Sequence, residues 1–294
     1  GEGEKVVLSM GTGDIGGAMY PIGGGCSSIV DAEAEGVSIR VEVTAGGVEN
    51  TRLVGKGEMD LGLLTADQAV TANDNTGLFE GENLQIEALG AFYATAVQIV
   101  SIDDSIATFH DLVGKSISLG EPGGGGEMYF NKLVEAGGWE LDDFDTVYLP
   151  YDQSCDQMKD GLLDAAICMA GAPAPAIVQL ATTHSVNVIE VTEDLFDELV
   201  KTSPTVELAV FEPGIFPGVD APKRVLVQRI QLASRVGLDE DVAYEVTKAI
   251  FNNLERLHEF HSATVTADLE RAPFAAVKLN KGAERFYKEM GLID

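Results

Sequence analysis

The chain has 294 residues, of which 45% are hydrophobic, so it is long enough for one large or two medium globular domains and is not disordered. Its 19 Lys and Arg residues against 48 Asp and Glu residues give a formal net charge of −29, which disfavours binding to nucleic acid and to anionic lipid surfaces. No apolar run reaches the length of about eighteen residues that a membrane-spanning helix needs.

The first part of the chain predicts alternating strands and helices. The predicted elements are strand 6–9, helix 20–35, strand 38–44, helix 48–57, strand 61–65, a helix that begins at 67, and a long apolar, β-branched stretch over 84–101. Such alternation is typical of an α/β fold with a mainly parallel sheet.

The second part repeats this alternation. The predicted elements are a short helix 109–115, strand 116–119, helix 127–136, strand 145–149, helix 154–163, strand 165–169, strand 187–191, an acidic helix 192–201, a Pro- and Gly-rich passage 211–222, a long strand 224–234 and an amphipathic helix 240–261. The two long strands predict two crossings between lobes, near residues 98 and 226. Lobe 1 is then 1–98 plus 226–294, and lobe 2 is 99–225.

Two glycine-rich segments, 11–25 and 120–126, each follow a predicted strand and lead into a predicted helix. The first turn of a helix has unpaired backbone N–H groups and a partial positive charge, both of which suit an anion. The sequence therefore predicts two anion-binding helix starts that face a cleft between two hinged lobes.

A dinucleotide site is the alternative for the first segment, because Gly11, Gly13 and Gly16 satisfy G-x-G-x-x-G. Pro21 and the glycines at 23–25 fall where the phosphate-binding helix should run unbroken, and no acidic residue clearly ends a second strand. These departures from the dinucleotide-binding pattern argue against a dinucleotide site.

The three cysteines have no C-x-x-C spacing and are interpreted as buried free thiols, with a disulfide between Cys155 and Cys168 as the alternative. His258 and His261 are expected three residues apart on one late helix, as part of a solvated polar face or, less favoured, as a metal pair. No serine lies in a G-x-S-x-G elbow, so nothing in the sequence points to catalysis or to a cofactor.

Several motifs occur in a characteristic order along nearly the whole chain, at 16–23, 44–53, 57–62, 120–123, 161–166, 246–251 and 282–287. In this order and spacing they resemble the extracytoplasmic solute-binding proteins of tripartite ATP-independent periplasmic (TRAP) transporters, specifically the TAXI group. The resemblance implies a type II periplasmic-binding-protein fold, with two α/β lobes joined by two hinge strands. It also implies a small organic anion as ligand, such as glutamate, a 2-oxo acid or a dicarboxylate, a TRAP permease as partner, and neither enzymatic activity nor a cofactor.

The chain begins at Gly1 without a methionine, so we expect a mature chain whose signal peptide has been removed. The resemblance implies a periplasmic location, and we expect a monomer. At Ala18, Met19, Gly47, Gly124 and Gly126 it lacks the hydroxyl or phenolic side chains that the family pattern usually has. Each hydrogen bond lost to a charged ligand costs about 1.5–3 kcal/mol, so the resemblance leaves the identity of the ligand open.

We expect ligand contacts from both lobes, mainly through backbone N–H groups at the glycines and through polar side chains elsewhere. The predicted residues are Gly16, Gly17, Tyr20, Gly46, Gly47, Val48, Asn50, Thr65, Asp67, Gln68, Tyr93, Thr95, Gln98, Gly123, Gly124, Gly125, Gly126, Met169, Ala170, Gly171, Arg229 and Gln231. The glycines have an alternative role as helix caps or turns, Tyr20 as a core aromatic residue, and Arg229 as half of a surface ion pair.

Two other functions stay open on the sequence alone. A two-lobed sensor domain would bind a ligand and close in the same way as a transport receptor, and a nucleotide-dependent enzyme on a Rossmann-like fold would explain the glycine motif.

The net charge of −29 predicts that salt stabilises the protein, since the folded chain repels itself and the Debye length falls from about 8 Å at physiological salt to about 3 Å at 1 M. We expect the melting temperature to rise when sodium chloride is increased to 1 M, as in proteins adapted to a saline environment. A melting temperature that is flat or falls over this range contradicts the prediction.

Overall fold

The structure is a computed structural model that describes residues 5–13, 15 and 18–294. It divides the chain into two compact units, the first formed by Gly1–Ala94 and Arg229–Asp294 and the second by Thr95–Gln228. The chain passes from one unit to the other inside two long strands, whereas the sequence placed these crossings near residues 98 and 226.

The described residues form helices and strands that alternate along most of the chain. In chain order they are β1 (Val6–Gly11), α1 (Met19–Glu33), β2 (Val37–Glu42), α2 (Gly47–Gly55), β3 (Leu61–Thr65), α3 (Ala66–Asn73), β4 (Ile86–Ser101), β5 (Ser116–Ser118), α4 (Gly125–Gly137), β6 (Asp145–Val147), α5 (Tyr151–Lys159), β7 (Ala165–Ala170), α6 (Pro175–Ala181), β8 (Asn187–Val188), α7 (Glu193–Thr202), β9 (Glu207–Phe211), β10 (Lys223–Arg235), α8 (Glu240–Phe251), α9 (Leu254–Leu257) and α10 (Lys281–Glu289). Single turns of 3₁₀ helix lie at Gly77–Phe79, Phe109–Leu112, Leu141–Asp143 and Ser262–Thr266.

In the first unit β1 pairs in parallel with both β2 and β3. Strand β10 then pairs antiparallel with β3, with Ile230 opposite Thr65 and Ser234 opposite Leu61. Helices α1 and α8 pack on these strands and α10 packs on α8, around a core of aliphatic and aromatic side chains that includes Phe92, Phe251 and Tyr287. The carboxyl ends of β1, β2 and β3 therefore share one edge of the sheet.

The second unit has the same arrangement around β5, which pairs in parallel with β6 and β7. Strand β4 pairs antiparallel with β7 and with β8, and β9 pairs antiparallel with β10. The expectation of a mainly parallel sheet was therefore incomplete. The short strands that precede helices are parallel to one another. Of the two long strands that link the units, β10 is antiparallel to β3 and β9, and β4 is antiparallel to β7 and β8.

Some elements differ from the sequence prediction. The helix predicted over 240–261 ends at Phe251, and Asn253 leaves helical geometry with φ −127° and ψ 31° while its side chain donates to Ala249 O at 2.8 Å. Asparagine competes in this way with the backbone hydrogen bonds of a helix. Helices α6 and α10 and strand β9 were not predicted.

Helix α1 agrees with the helix predicted over 20–35 and runs unbroken through Pro21 and the glycines at 23–25. Pro21 is the third residue of the helix, where a backbone N–H has no partner inside the helix, so proline costs little there. Gly25 permits close packing, since a Cβ at this position would lie 2.8 Å from the ring of Phe260. Pro21 and the glycines do not interrupt the helix, so the argument against nucleotide binding that assumed a broken helix was wrong.

In each unit an aspartate directly before one parallel strand accepts hydrogen bonds from a serine on the neighbouring strand. In the first unit Asp60 accepts from Ser9 N at 2.9 Å, from Ser9 Oγ at 3.1 Å and from Arg235 Nε at 2.8 Å. In the second unit Asp164 accepts from Ser116 N at 2.8 Å and from Ser116 Oγ at 2.9 Å. The two units thus repeat one structural solution.

The Asp60 contacts predict a pH-dependent contribution to stability. Burial raises the pKa of Asp60, but the hydrogen bonds from Arg235 and Ser9 outweigh it and hold the pKa below its ordinary value of 3.8. A group whose pKa is lowered in the folded state stabilises the fold at pH values above its unfolded-state pKa. This stabilisation is lost as the pH falls through the folded-state pKa.

We expect Asp60→Asn to lower the free energy of unfolding by about 1–3 kcal/mol at pH 7, with the difference from the wild type shrinking below about pH 4, measured by urea denaturation. Glu42→Gln is the matched control, because Glu42 pairs with Arg40, whose side chain is 69% exposed, and such surface pairs contribute little. A deficit for Asp60→Asn that is independent of pH contradicts the assignment.

Candidate functional site

The candidate site of the first unit lies at the carboxyl edge of β1, β2 and β3, where the loops that leave the three strands meet. A Cβ on Gly13, after β1, would lie 3.9 Å from Cα of Gly46, which precedes α2. A Cβ on Gly47 would collide with the side-chain oxygen of Gln68 in α3. The structure therefore brings together Gly46, Gly47 and Gln68, which were predicted separately. Ligands of open α/β sheets bind at such carboxyl ends.

Two helices begin at this edge. Helix α2 starts at Gly47 after Gly46, whose φ of 100° favours glycine. Helix α3 starts after Thr65 with a capping box, in which Gln68 N donates to Thr65 Oγ1 at 3.2 Å and Thr65 N donates to Gln68 Oε1 at 2.9 Å. The side chains of Thr65 and Gln68 thus order the start of α3.

The other predicted residues of the first unit have different surroundings. Asp67 is buried in the first turn of α3, Val48 is half-buried beside the core, and Tyr20 is half-buried at the start of α1. Gly16 and Gly17 lie outside the described residues. Gln231 is buried, and its side-chain oxygen accepts from Ala276 N at 3.0 Å, so it fastens the chain that precedes α10.

Asn50 and Tyr93 are closed to solvent. The amide of Asn50 bonds to Thr12, Thr44 and Leu63, with each distance 2.7 Å. Tyr93 lies in the core, 2% exposed, with its ring edge-on to Phe92. Its hydroxyl has no hydrogen-bond partner within the part of the chain that the structure describes, and burial raises its pKa far above the ordinary value. The structure does not place either side chain on an accessible surface.

The second unit presents a glycine-rich loop at the carboxyl edge of β5, β6 and β7. Gly125 packs against the Met169 side chain, and a Cβ on Gly120 would lie 2.9 Å from the ring of Tyr151. The Tyr151 hydroxyl accepts from Met169 N at 3.3 Å. The loop, β7 and α5 are therefore in close contact.

The amides of this loop are partly engaged by the protein itself. Gly123 N donates to the Glu127 carboxylate at 2.6 Å, and Gly124 N donates to Glu121 O at 3.1 Å. Tyr148 also donates to Glu127 at 2.6 Å, which raises the Tyr148 pKa. Gly126 packs against the carbonyl groups of neighbouring strands. The loop amides left for a ligand are then those at the start of α4 rather than all four that were predicted.

Gln98 and Ala170 come together in the second unit. The buried Gln98 side chain donates to Ala170 O at 3.1 Å and accepts from Ala174 N at 3.1 Å, so it holds the segment after β7, including Gly171. Thr95, on the same strand, is also buried. The Gln98 side chain thus holds the backbone of other predicted site residues in place through hydrogen bonds.

Sequence reasoning missed Thr12, Thr44, Glu127, Tyr148 and Tyr151. Both tyrosines lie within two residues of the carboxyl end of the predicted strand 145–149, so the carboxyl-end rule that located the glycine loops would have found them. The partners of Glu127 depend on tertiary contacts that the sequence does not show.

The cysteines are free and buried. Burial raises the pKa of Cys26 to about 12 and that of Cys155 to about 11, and it raises the pKa of Cys168 as well, so these thiols are poor nucleophiles. The disulfide alternative was wrong for this structure.

The two late histidines do not share a helix. His258 follows α9, and His261 accepts from Ala263 N at 3.1 Å ahead of the next turn. Within the described ranges, no group of His, Cys, Asp and Glu side chains is arranged to hold a metal ion. The same residues include no helix that is long and apolar enough to span a membrane.

The chain has the two-lobed, type II-like α/β fold that periplasmic binding proteins also have, which confirms the predicted fold class. The chain is similar to a Bacillus subtilis protein described as a probable amino-acid ABC transporter extracellular-binding protein, with 13% identity over 87% of this chain and 96% of that one and a TM-score of 0.51. It is similar to the periplasmic aliphatic sulphonate binding protein SsuA from Escherichia coli, with 12% identity, 98% and 94% coverage and a TM-score of 0.50. A Xanthomonas citri protein bound to ATP is 10% identical, with 98% and 97% coverage and a TM-score of 0.55.

Residues 10–291 match the NMT1-like family, and the chain belongs to that family. The likeness to the solved structures concerns the fold alone, because the sequence identities are low.

The hydroxyl of Tyr93, which has no hydrogen-bond partner among the described residues, gives a test of its predicted ligand role. We expect Tyr93→Phe to leave the melting temperature unchanged or raised, because a buried hydroxyl without a partner is unfavourable by about 1–3 kcal/mol, and to leave ligand affinity unchanged. Tyr287→Phe is the matched control, because its buried hydroxyl donates to Leu89 O at 2.8 Å and its loss should lower the melting temperature. Weaker ligand binding by a stable Tyr93→Phe protein would restore Tyr93 as a ligand contact.

Proposed function

We propose that this protein is an extracytoplasmic solute receptor that binds a small organic anion and delivers it to a TRAP membrane permease. Its family and fold support a solute-binding role, since proteins of similar fold are described as amino-acid or sulphonate binding proteins. The TRAP partnership is supported by the ordered motifs, such as those at 44–53 and 57–62, whereas one neighbour is described as part of an ABC transporter.

The observation that carries the proposal is the convergence of α2 and α3 at one edge of the first unit, with Gly47 against Gln68. Each helix N-terminus stabilises a nearby negative charge by about 0.3–1 kcal/mol when exposed. The glycines around α2 also allow a ligand to approach the backbone closely. This edge can thus bind an acid although the whole chain has a charge of −29.

Arg229 is the cation that we assign to this edge. Ile230 pairs with Thr65 at the end of β3, so the backbone of Arg229, one residue earlier in the antiparallel strand β10, lies just beyond the carboxyl end of β3. Its guanidinium donates to Thr266 O at 3.4 Å and makes further interactions. A carboxylate that accepts from Arg229 would gain a charge-assisted hydrogen bond of about 1.5–3 kcal/mol.

Calorimetric titration tests the proposed function. We expect one class among amino acids, 2-oxo acids and dicarboxylates to bind at micromolar strength, and ATP and NAD to give no heat. Silence across the acids together with stabilisation by a nucleotide would overturn the receptor proposal and favour the nucleotide-dependent alternative.

Delivery to a permease separates a transport receptor from a sensor domain. Liposomes that contain TRAP permease subunits should take up the bound solute only when this protein is added. Binding without uptake would favour the sensor.

The role of Arg229 is tested by substitution. We expect Arg229→Met to weaken anion binding about tenfold to a hundredfold with the fold intact, since about 1.4 kcal/mol is a factor of ten. Arg229→Lys should restore little of the affinity, because lysine lacks the planar guanidinium group that can bind a carboxylate through two hydrogen bonds. Arg256→Met is the matched control, because it removes the same charge from an exposed pair with Glu33 at the C-terminal end of α1. Equal affinities for the two methionine variants would assign the anion to backbone amides alone.

A further inference from the structure

Asn50 bonds to the segments that follow β1 and β2 and to the middle of β3. Its amide nitrogen donates to Thr12 O, after β1, and to Leu63 O, in β3, each at 2.7 Å. Its amide oxygen accepts from the hydroxyl of Thr44, after β2, at 2.7 Å. An amide provides two donors and an acceptor in one plane, which neither a carboxylate nor an aliphatic side chain can replace.

The packing around Asn50 leaves no access for a ligand. The residue is fully buried, and a Cβ on Gly11 would lie within 3.0 Å of its Cγ. A Cβ on Gly62 would lie 3.3 Å from its Cβ. The glycines on β1 and β3 therefore make room for this side chain, and the amide acts on backbone rather than on solute.

The hydroxyl of Thr44 extends the network to the start of α2. It donates to Asn50 and accepts from Gly46 N at 3.1 Å. Gly46 lies beside Gly13, so the network sets the separation between the loop after β1 and the first N–H groups of α2.

We propose that Asn50 is a positioning residue, which fixes the first N–H groups of α2 for the anion without touching it. This inference rests on the proposed function, because it takes the edge of β1, β2 and β3 as the binding surface. It replaces the sequence-based expectation that Asn50 contacts the ligand directly.

The substitution Asn50→Asp tests the inference, because it keeps the size of the side chain and removes both donors. We expect amide hydrogen exchange at residues 44–48 to accelerate at least tenfold, and affinity for every acid that binds the wild type to fall by the same factor of ten or more. A direct contact would instead weaken only those acids whose polar group reaches the amide.

Asn280→Asp is the matched control. Asn280 is also buried in the first unit, donates to Glu87 and Leu238, and accepts from Gly282 N at 2.9 Å. It lies at the opposite end of the strands, because Leu238 follows the end of β10 that pairs with the start of β3. We expect this variant to lose stability while its affinity stays within twofold of the wild type.

A second pair of variants applies if Asn50→Asp does not fold. Thr44→Val breaks the link to Gly46 and should reproduce the faster exchange and the weaker binding, and Thr44→Ser should restore both. Unchanged exchange at 44–48 in Thr44→Val overturns the inference whether or not a ligand is known. A wild-type protein that binds none of the acids instead overturns the proposed function and leaves the exchange test valid.

Discussion

The structure depends on hydrogen bonds to the backbone groups at the edge where parallel strands end together. Buried peptide groups at such an edge need hydrogen-bond partners before the loops that leave it can pack closely. In the first unit the amide of Asn50 meets this need, and in the second Gln98 does so for the segment after β7. Both side chains are fully buried, so the geometry of each loop edge depends on an amide that solvent does not reach.

The glycine-rich helix starts are built in a related way. Glu49 accepts from Ala45 N at 2.6 Å, and Glu127 accepts from Gly123 N at the same distance. In each case a carboxylate in the first turn of the helix binds the backbone two residues before the helix begins. An anion that binds at either helix start therefore lies near the negative charge of this carboxylate. This repulsion favours ligands that place no second negative group close to the glutamate.

The architecture was largely readable from the sequence, because periodicity and glycine positions decide most elements locally. Strand β3 was predicted with the bounds that the structure has. The break at Asn253 and the packing of Gly25 on Phe260 depend on competing side-chain bonds and on long-range contacts. The sequence predicted which residues lie near the strand ends, but not whether a polar side chain there faces solvent or bonds to the backbone. Asn50 was predicted as a ligand contact, whereas its buried amide bonds to other residues of the protein.

The discontinuity of the first unit has a consequence for biosynthesis. The second unit is one uninterrupted stretch, Thr95–Gln228, so all of its core residues are present once that stretch has left the ribosome. The core of the first unit joins Leu8 and Phe92 to Phe251 and Tyr287, and the last two are made only after the whole of the second unit. Domains fold as units when their chain is complete. The first unit therefore completes its core only after the second, and β1 and α1 lack part of their packing partners throughout the synthesis of the inserted unit.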